Sequence, residues 1–125
     1  MKTTIKKEYY ESGELYSEYT YVNGKKNGVA KEYYKSGELD SETNCVNGFF
    51  HGAGKSYYKS GEIEHEGNFV NGRLHGIQKR YYKSGALWGE VYYLNGKKHG
   101  DATDYHENGQ IKKEYFFLHG VQLSV

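Results

Sequence analysis

A chain of 125 residues is long enough for one domain, and 17 basic against 16 acidic residues give a formal charge of +1. This balance gives no whole-chain reason to expect nucleic acid as a partner. Only 36% of the residues are hydrophobic, and 15 residues are tyrosines, which excludes a broad aliphatic core. Tyrosine buries a ring face while its hydroxyl stays in water, so the composition favours a thin structure with half-exposed aromatic rows.

The N-terminal segment and the cysteine content bear on where the protein works. No apolar run follows the basic residues of segment 1–7, and no later segment approaches the length of a membrane span. Cys45 is the only cysteine, so an internal disulfide cannot form. We expect a cytoplasmic protein, or a secreted or periplasmic one if a signal peptide has been removed.

One sequence pattern recurs along the chain at intervals of 24 residues. Its most complete copy is residues 33–39, Tyr-Tyr-Lys-Ser-Gly-Glu-Leu, and the copies begin at Tyr9, Tyr33, Tyr57, Tyr81 and Tyr105. Asn-Gly pairs recur with the same period at 23–24, 47–48, 71–72 and 95–96, with His119-Gly120 in the fifth place. A fixed period of this length indicates tandem structural repeats. We predict one domain over residues 1–125, built from units at about 4–27, 28–51, 52–75, 76–99 and 100–125.

Each unit has the pattern of two short strands and two turns. In the second unit, the segment 29–34 forms the first strand, Ser36-Gly37 a two-residue hairpin turn, and the segment 39–46 the return strand. Asn47-Gly48 then begins a longer connection that ends near Gly52. No helix is expected, because glycines interrupt every window before three helical turns could form. The predicted fold is all-β, an elongated single-layer antiparallel β-meander of five hairpin repeats.

The predicted turn also sets which residues face each other across each hairpin. A two-residue turn at Ser36-Gly37 places Lys31 opposite Glu42, whereas a three-residue turn would place Lys31 opposite Ser41. Opposite charges across an antiparallel pair contribute about 0.2–1 kcal/mol each and disfavour slipped registers. We therefore predict the first register, with a structural ladder of ion pairs. The ladder residues are Lys31, Glu42, Lys55, Glu66, Lys79 and Glu90, with Lys7 and Glu18 in the first unit.

This register divides the sheet into a buried face and a wet face. The buried face pairs Tyr34 with Leu39 and repeats this aromatic–aliphatic seam in every unit. Its third row is Tyr21, Cys45, Phe69, Tyr93 and Phe117. The glycines opposite this row, Gly28, Gly52, Gly76 and Gly100, either let a ring lie over the backbone or serve only the turns. The wet face carries the ladder, the first tyrosine of each pair and Trp88.

Several segments resemble MORN repeats (membrane occupation and recognition nexus). The resemblance lies in residues 24–28 (Gly-Lys-Lys-Asn-Gly), 33–39, 71–76 (Asn-Gly-Arg-Leu-His-Gly) and 95–100 (Asn-Gly-Lys-Lys-His-Gly). It covers nearly the whole chain and is nearest to the bacterial variant in proteins called YwqK-like antitoxin components. The resemblance implies an elongated β-meander, contacts with proteins or membrane surfaces rather than catalysis, and neutralisation of a toxin. Cys45 in place of an aromatic and the altered last unit depart from the pattern, and the second departure is typical of a capping repeat.

Catalysis and metal binding are disfavoured by the same spacing. His51, His75 and His99 occupy one column, but equivalent positions two strands apart lie about 9.6 Å from each other, too far to share a zinc ion. We therefore expect structural histidines near turns. Each glutamate of the ladder has a lysine beside it, which favours ion pairs over a pair of catalytic carboxylates. Cys45 lies on the buried face and is expected to be structural. We expect neither an enzyme nor a cofactor.

The candidate binding residues are the aromatics of the wet face, Tyr57, Tyr81, Trp88 and Tyr105. An exposed Trp–Tyr cluster is typical of an interface hot spot, and cross-strand packing is the alternative. We expect a scaffold that binds a protein partner, with a toxin as one such partner and an antitoxin or immunity role. A glycan-binding aromatic module and a membrane-surface protein are the alternatives, the latter with no polybasic run to support it. The open sheet edges also allow a homodimer.

Overall fold

The computed structural model of the chain describes residues 2–123, which form one antiparallel sheet of 13 strands and no helix. The strands are β1 (Thr3–Tyr9), β2 (Leu15–Val22), β3 (Lys25–Lys26), β4 (Gly28–Tyr33), β5 (Leu39–Val46), β6 (Phe49–Tyr57), β7 (Ile63–Val70), β8 (Arg73–Leu74), β9 (Gly76–Tyr81), β10 (Leu87–Leu94), β11 (Lys97–Tyr105), β12 (Ile111–Leu118) and β13 (Val121–Leu123). Neighbours in the sheet are neighbours in the chain, with β3 and β4 both pairing with β2, and β8 and β9 both pairing with β7. The predicted β-meander is confirmed. Within residues 2–123 there is no helix that could cross a membrane.

The Asn-Gly pairs form the two-residue turns. Asn47 has φ 49° and Gly48 φ 92°, and Val46 pairs directly with Phe49. Left-handed backbone at both central residues is the geometry of a type I′ hairpin, which suits asparagine followed by glycine. The predicted long connection from Asn47 to Gly52 is therefore wrong, because β6 begins immediately after the turn.

The Ser-Gly turns are one residue longer than predicted. The Tyr34 N–H donates to the Glu38 carbonyl at 2.8 Å, and the Gly37 N–H donates to the Tyr34 carbonyl at 2.9 Å. Three residues, 35–37, therefore connect the strands, and Gly37 takes the left-handed φ of 106° that this turn requires.

A bulge after each Ser-Gly turn, and after the Asn108-Gly109 turn, restores the predicted register. Tyr33 pairs with Leu39 and Glu32 with Ser41, so Asp40 has no partner across the hairpin. This extra residue cancels the longer turn and returns Lys31 to a position opposite Glu42. The equivalent extra residues in the five hairpins are Tyr16, Asp40, Glu64, Trp88 and Lys112.

The bulge also changes which residues share a face near the turn. Leu39 pairs with Tyr33, not with Tyr34, so the predicted Tyr34–Leu39 seam is wrong. Side chains alternate between the two faces along a strand, and an added residue reverses that alternation from the bulge onward. We call the face that carries Lys31 and Glu42 the ladder face and the opposite one the groove face.

Burial is confined to small side chains. Apart from the glycines, the buried residues of the groove face are Ser17, Cys45, Ala30 and Ala102, at 0%, 2%, 5% and 6% exposure. Burial raises the pKa of the Cys45 thiol, as expected of a structural cysteine. All larger side chains keep some contact with solvent, so the protein is a single layer.

Tyrosine hydroxyls connect each repeat to the next. The second tyrosine of a pair donates to the backbone carbonyl of the first tyrosine in the following repeat: Tyr10 to Tyr33 at 2.6 Å, Tyr34 to Tyr57 at 2.5 Å, Tyr58 to Tyr81 at 2.5 Å and Tyr82 to Tyr105 at 2.7 Å. These bonds join residues 23 apart in sequence. They therefore hold neighbouring hairpins in a fixed relation along the array.

The Asn-Gly turns are stacked on one another along the edge of the sheet at the other ends of the strands from the Ser-Gly turns. The Gly48 N–H donates to the Lys26 carbonyl at 2.8 Å, and the Asn47 N–H donates to Asn27 Oδ1 at 3.0 Å. In later repeats His51 and His99 replace Asn27 as acceptors, through Nδ1, for Asn71 N–H at 3.2 Å and His119 N–H at 3.3 Å. Two of the three histidines that were predicted to be structural, His51 and His99, therefore bind the next turn.

We predict that Tyr58→Phe lowers the free energy of unfolding by about 0.5–1.5 kcal/mol, because the Tyr81 carbonyl loses its inter-repeat donor. Urea denaturation measures the change. Tyr9→Phe is the matched control, since that ring is 60% exposed, and it should shift the free energy by less than about 0.5 kcal/mol. Equal losses in the two variants would contradict a locking role for the Tyr58 hydroxyl.

Candidate binding surface

The lysines and glutamates of the ladder face each other as predicted but do not form ion pairs. Lys31 pairs with Glu42, Lys55 with Glu66, and Lys79 with Glu90 across the hairpins. Yet within residues 2–123 the one contact under 4.0 Å between a carboxylate and a basic side chain joins Glu64 to His65. The predicted pairing of the lysines with the glutamates is therefore right, but the predicted ion pairs are not formed.

Tyrosine hydroxyls, instead of the lysines, bind the glutamate carboxylates of the ladder. Tyr57 donates to Glu42 Oε1 at 2.6 Å, Tyr105 donates to Glu90 Oε1 at 3.2 Å, and Tyr81 donates to Glu66. Burial, followed by this bond to a carboxylate, raises the pKa of Tyr57 and of Tyr81 to about 12. Burial and the Glu90 carboxylate also raise the pKa of Tyr105. Three of the four predicted binding residues thus fasten one repeat to the preceding one.

Trp88 lies on the opposite face from these tyrosines, so the predicted four-residue cluster is wrong. Lys79 belongs to the ladder face, and the next residue of the strand, Arg80, projects to the groove face. The Arg80 guanidinium carbon lies 4.8 Å from the centre of the Trp88 ring. Trp88 is the extra residue of its bulge, which is why simple alternation assigned it to the other face.

The groove face contains an open groove of about 720 Å³ that crosses the strands from β5 to β13. Its floor is made of small residues. Gly54 on β6 pairs directly with Gly67 on the neighbouring strand β7. A methyl group on Gly54 would come within 3.0 Å of the Phe69 ring, so glycine leaves the room that this ring occupies. The aromatic and aliphatic lining includes Phe69, Leu74, Trp88, Tyr93, Tyr115 and Phe117.

Three cations in or beside the groove are seated on aromatic rings. Besides Arg80 on Trp88, Lys98 Nζ lies 5.2 Å from the Phe117 ring centre and Lys113 Nζ lies 4.8 Å from that of Tyr115. All three side chains are exposed. Attraction to the ring faces holds these charges in place without a carboxylate partner.

The carboxylate that lies between Arg80 and Lys113 in the strand register is already engaged. Asp104 lies between Arg80 and Lys113, and its Oδ2 accepts a hydrogen bond from the Tyr115 hydroxyl at 2.9 Å. This bond is the main cause of the raised pKa of Tyr115. The side of the groove formed by β9 to β12 therefore presents positive charge that its own residues do not neutralise.

Ser56, His65 and Glu64 meet in the groove but lack the geometry of a catalytic triad. Ser56 Oγ and Glu64 Oε1 each lie 3.3 Å from the same imidazole nitrogen, Nδ1 of His65. A triad needs the two partners on different nitrogens, so that one orients the ring while the other exchanges a proton. Burial and the nearby Arg80 charge lower the pKa of His65, which favours a neutral ring.

The ligand chemistry of a metal site is also not assembled. No three His, Cys, Asp or Glu side chains lie close enough to hold a metal ion in the part of the chain from residue 2 to residue 123. His51 and His99 direct Nδ1 at backbone N–H groups, as described above.

The sequence contained a signal for the groove that its periodicity obscured. The positions that stay constant in the repeats, such as the Lys–Glu column and the first tyrosine, lie on the ladder face. Several columns that vary between the repeats lie on the groove face. One such column, in chain order, is Ser17, Ser41, His65, Gly89 and Lys113, and another is Glu8, Glu32, Ser56, Arg80 and Asp104. Arg80, Lys98 and Lys113 could have been found as departures from the repeat.

The chain belongs to the MORN repeat variant family, whose sequence pattern matches residues 2–23, 26–47, 50–71, 74–96 and 98–121. No curated protein matches the sequence. Among solved structures, the chain is similar to a chain in the crystal structure of accessory secretory proteins 1, 2 and 3 of Streptococcus pneumoniae. That similarity has 15% sequence identity and a TM-score of 0.48, and it covers 80% of this chain and 18% of the other.

We predict that Tyr57 and Tyr81 stabilise the fold in a pH-dependent way. Their folded-state pKa is about 12 against an ordinary value of 10.0, so their contribution is complete below pH 10 and is lost as the pH rises to about 12. Between these pH values, the free energy of unfolding should fall more in the wild type than in Tyr57→Phe/Tyr81→Phe. Denaturation at several alkaline pH values measures this.

Glu42→Gln/Glu66→Gln is the matched control, because it keeps both phenols and removes only the carboxylates. In a phenolate absorbance titration, this variant should ionise earlier than the wild type in the most alkaline part of the curve. An identical curve would rule out the Tyr–Glu bonds as a cause of the raised pKa values.

Proposed function

We propose that this MORN repeat protein is a non-catalytic scaffold that binds another protein through its groove face. The observation that carries the proposal is the distribution of differences between repeats. The most constant columns, such as the Lys–Glu column and the first tyrosine, lie on the ladder face, whereas most side chains that line the groove belong to columns that change from repeat to repeat. Repeat arrays use such variable positions on one extended surface to recognise partners.

The chemistry of the groove supports a protein partner. Trp88 and Arg80 are of the residue types that dominate interface hot spots, and they stand together in an open depression. On the ladder face, by contrast, the carboxylates of Glu42, Glu66 and Glu90 are engaged with tyrosine hydroxyls. The glutamates of the ladder face are thus already bonded, whereas Arg80 of the groove face has no carboxylate within 4.0 Å among the described residues.

Glycan binding is the weaker alternative for the same groove. Aromatic rings that bind sugars need a free ring face, but Trp88, Tyr115 and Phe117 each have a cation above the ring. A sugar would have to displace these cations before it could stack.

The resemblance to YwqK-like antitoxin components supports a toxin as the partner, in the cytoplasm, with this chain as the antitoxin or immunity-type protein. Neutralisation of this kind needs only a tight interface. It therefore agrees with a site that lacks a catalytic triad and an assembled metal centre.

We predict that Trp88→Ala weakens partner binding at least about tenfold, since it removes both a large apolar contact and the support of Arg80. The partner would first be captured from the source cell, identified, purified and titrated by calorimetry. Phe49→Ala is the matched control: this ring is 57% exposed and lies on the ladder face, next to Phe50, which packs on Phe69. Wild-type affinity in Trp88→Ala, or an equal loss in Phe49→Ala, would reject the groove as the binding surface.

A further inference from the structure

Two cations of the groove face, Arg80 and Lys113, lie in one row that the strand register fixes. Arg80 pairs with Gly89, Gly89 with Asp104, and Asp104 with Lys113, across the four strands β9 to β12. Three strand spacings of about 4.8 Å separate the backbones of Arg80 and Lys113 by about 14 Å. The two residues thus stand at the ends of a short line that runs across the strands, from Arg80 in the groove to Lys113 beside it.

The two residues between these cations leave the line open. Gly89 has no side chain, and the Asp104 carboxylate is turned to the Tyr115 hydroxyl at 2.9 Å. A methyl group on Gly89 would come within 3.0 Å of Asp104 Oδ1, so glycine also gives this carboxylate its place. The middle of the line therefore carries no cation. The Asp104 carboxylate there disfavours binding of a further anion.

We infer that the groove binds an extended acidic segment of the partner protein, with two carboxylates about four residues apart, one on Arg80 and one on Lys113. The spacing follows from the geometry, because an extended chain advances about 3.3–3.6 Å per residue and needs about four residues to cover 14 Å. Asp104 repels a carboxylate placed between them. This inference rests on the proposed protein-binding function and adds the chemistry of the ligand.

The aromatic rings under the two cations are part of this recognition. Trp88 holds the Arg80 guanidinium from one side, which leaves the N–H groups at its edge free to form paired hydrogen bonds with a carboxylate. Tyr115 supports Lys113 in the same way. Cations already held in position lose little side-chain freedom on binding, which favours affinity. Lys98, on the Phe117 ring, adds positive charge on the far side of the groove.

The test uses two blocked peptides in nuclear magnetic resonance titrations of the whole chain, read at the Trp88 indole and the Arg80 side chain. The first peptide is acetyl-Glu-Ser-Gly-Ser-Glu-amide, and the second has Gln in place of both Glu. We expect the acidic peptide to shift both signals in a saturable way and the amide peptide to leave them unchanged. Equal shifts with the two peptides, or none with either, would overturn the inference.

Matched double variants separate this site from a general effect of charge. Arg80→Gln/Lys113→Gln should weaken binding of the acidic peptide about tenfold or more, since it removes both charged anchors. Lys7→Gln/Lys31→Gln removes the same charge from the ladder face, away from the groove, and should change the affinity less than about twofold. Equal weakening in both would contradict a specific site. If the purified partner depends on Trp88 but the acidic peptide does not bind, the inference fails and the proposed function stands.

Discussion

One extra residue in each return strand decides the organisation of both faces of this sheet. The three-residue turn at 35–37 alone would shift the strands by one position and place Lys31 opposite Ser41. The unpaired Asp40 cancels that shift, so the repeated Lys and Glu columns meet on one face. In each hairpin the side chain of the extra residue projects to the groove face. In the fourth hairpin this residue is Trp88, which therefore lies on Arg80. Turn and bulge together therefore set both the register and the face of each side chain. The groove depends on them because they place Trp88 on its face.

The array has few buried side chains, and its tyrosines bond from repeat to repeat. The second tyrosine of each pair reaches a backbone carbonyl of the next repeat, and in the last three repeats the first tyrosine reaches a carboxylate of the preceding one. Each ring thus covers a neighbouring strand while its hydroxyl keeps a partner. The Tyr–Glu bonds occupy the ladder face, and the Tyr–carbonyl bonds lie beside the Ser-Gly turns, so the centre of the groove face is free to vary.

The period and composition of the sequence were sufficient to predict the all-β meander, the absence of helices in the described residues, and the Lys–Glu register. They were not sufficient for the turn types, because Ser-Gly and Asn-Gly both provide left-handed backbone and only the strand pairing distinguishes them. The register was right for Lys31 and Glu42 because an error of one residue in the turn was compensated by the bulge. For Trp88 nothing compensated it, and the candidate site was therefore assigned to the wrong face. The groove itself requires three-dimensional information, since its lining comes from strands far apart in sequence.

The most direct test of this account is the position of the Trp88 side chain in solution. Nuclear Overhauser contacts from the indole protons should connect Trp88 with the Arg80 side chain, on the face away from the ladder. Contacts from the indole to the rings of Tyr81 or Tyr105 would contradict the bulge at Trp88, and with it the groove and the function proposed for it.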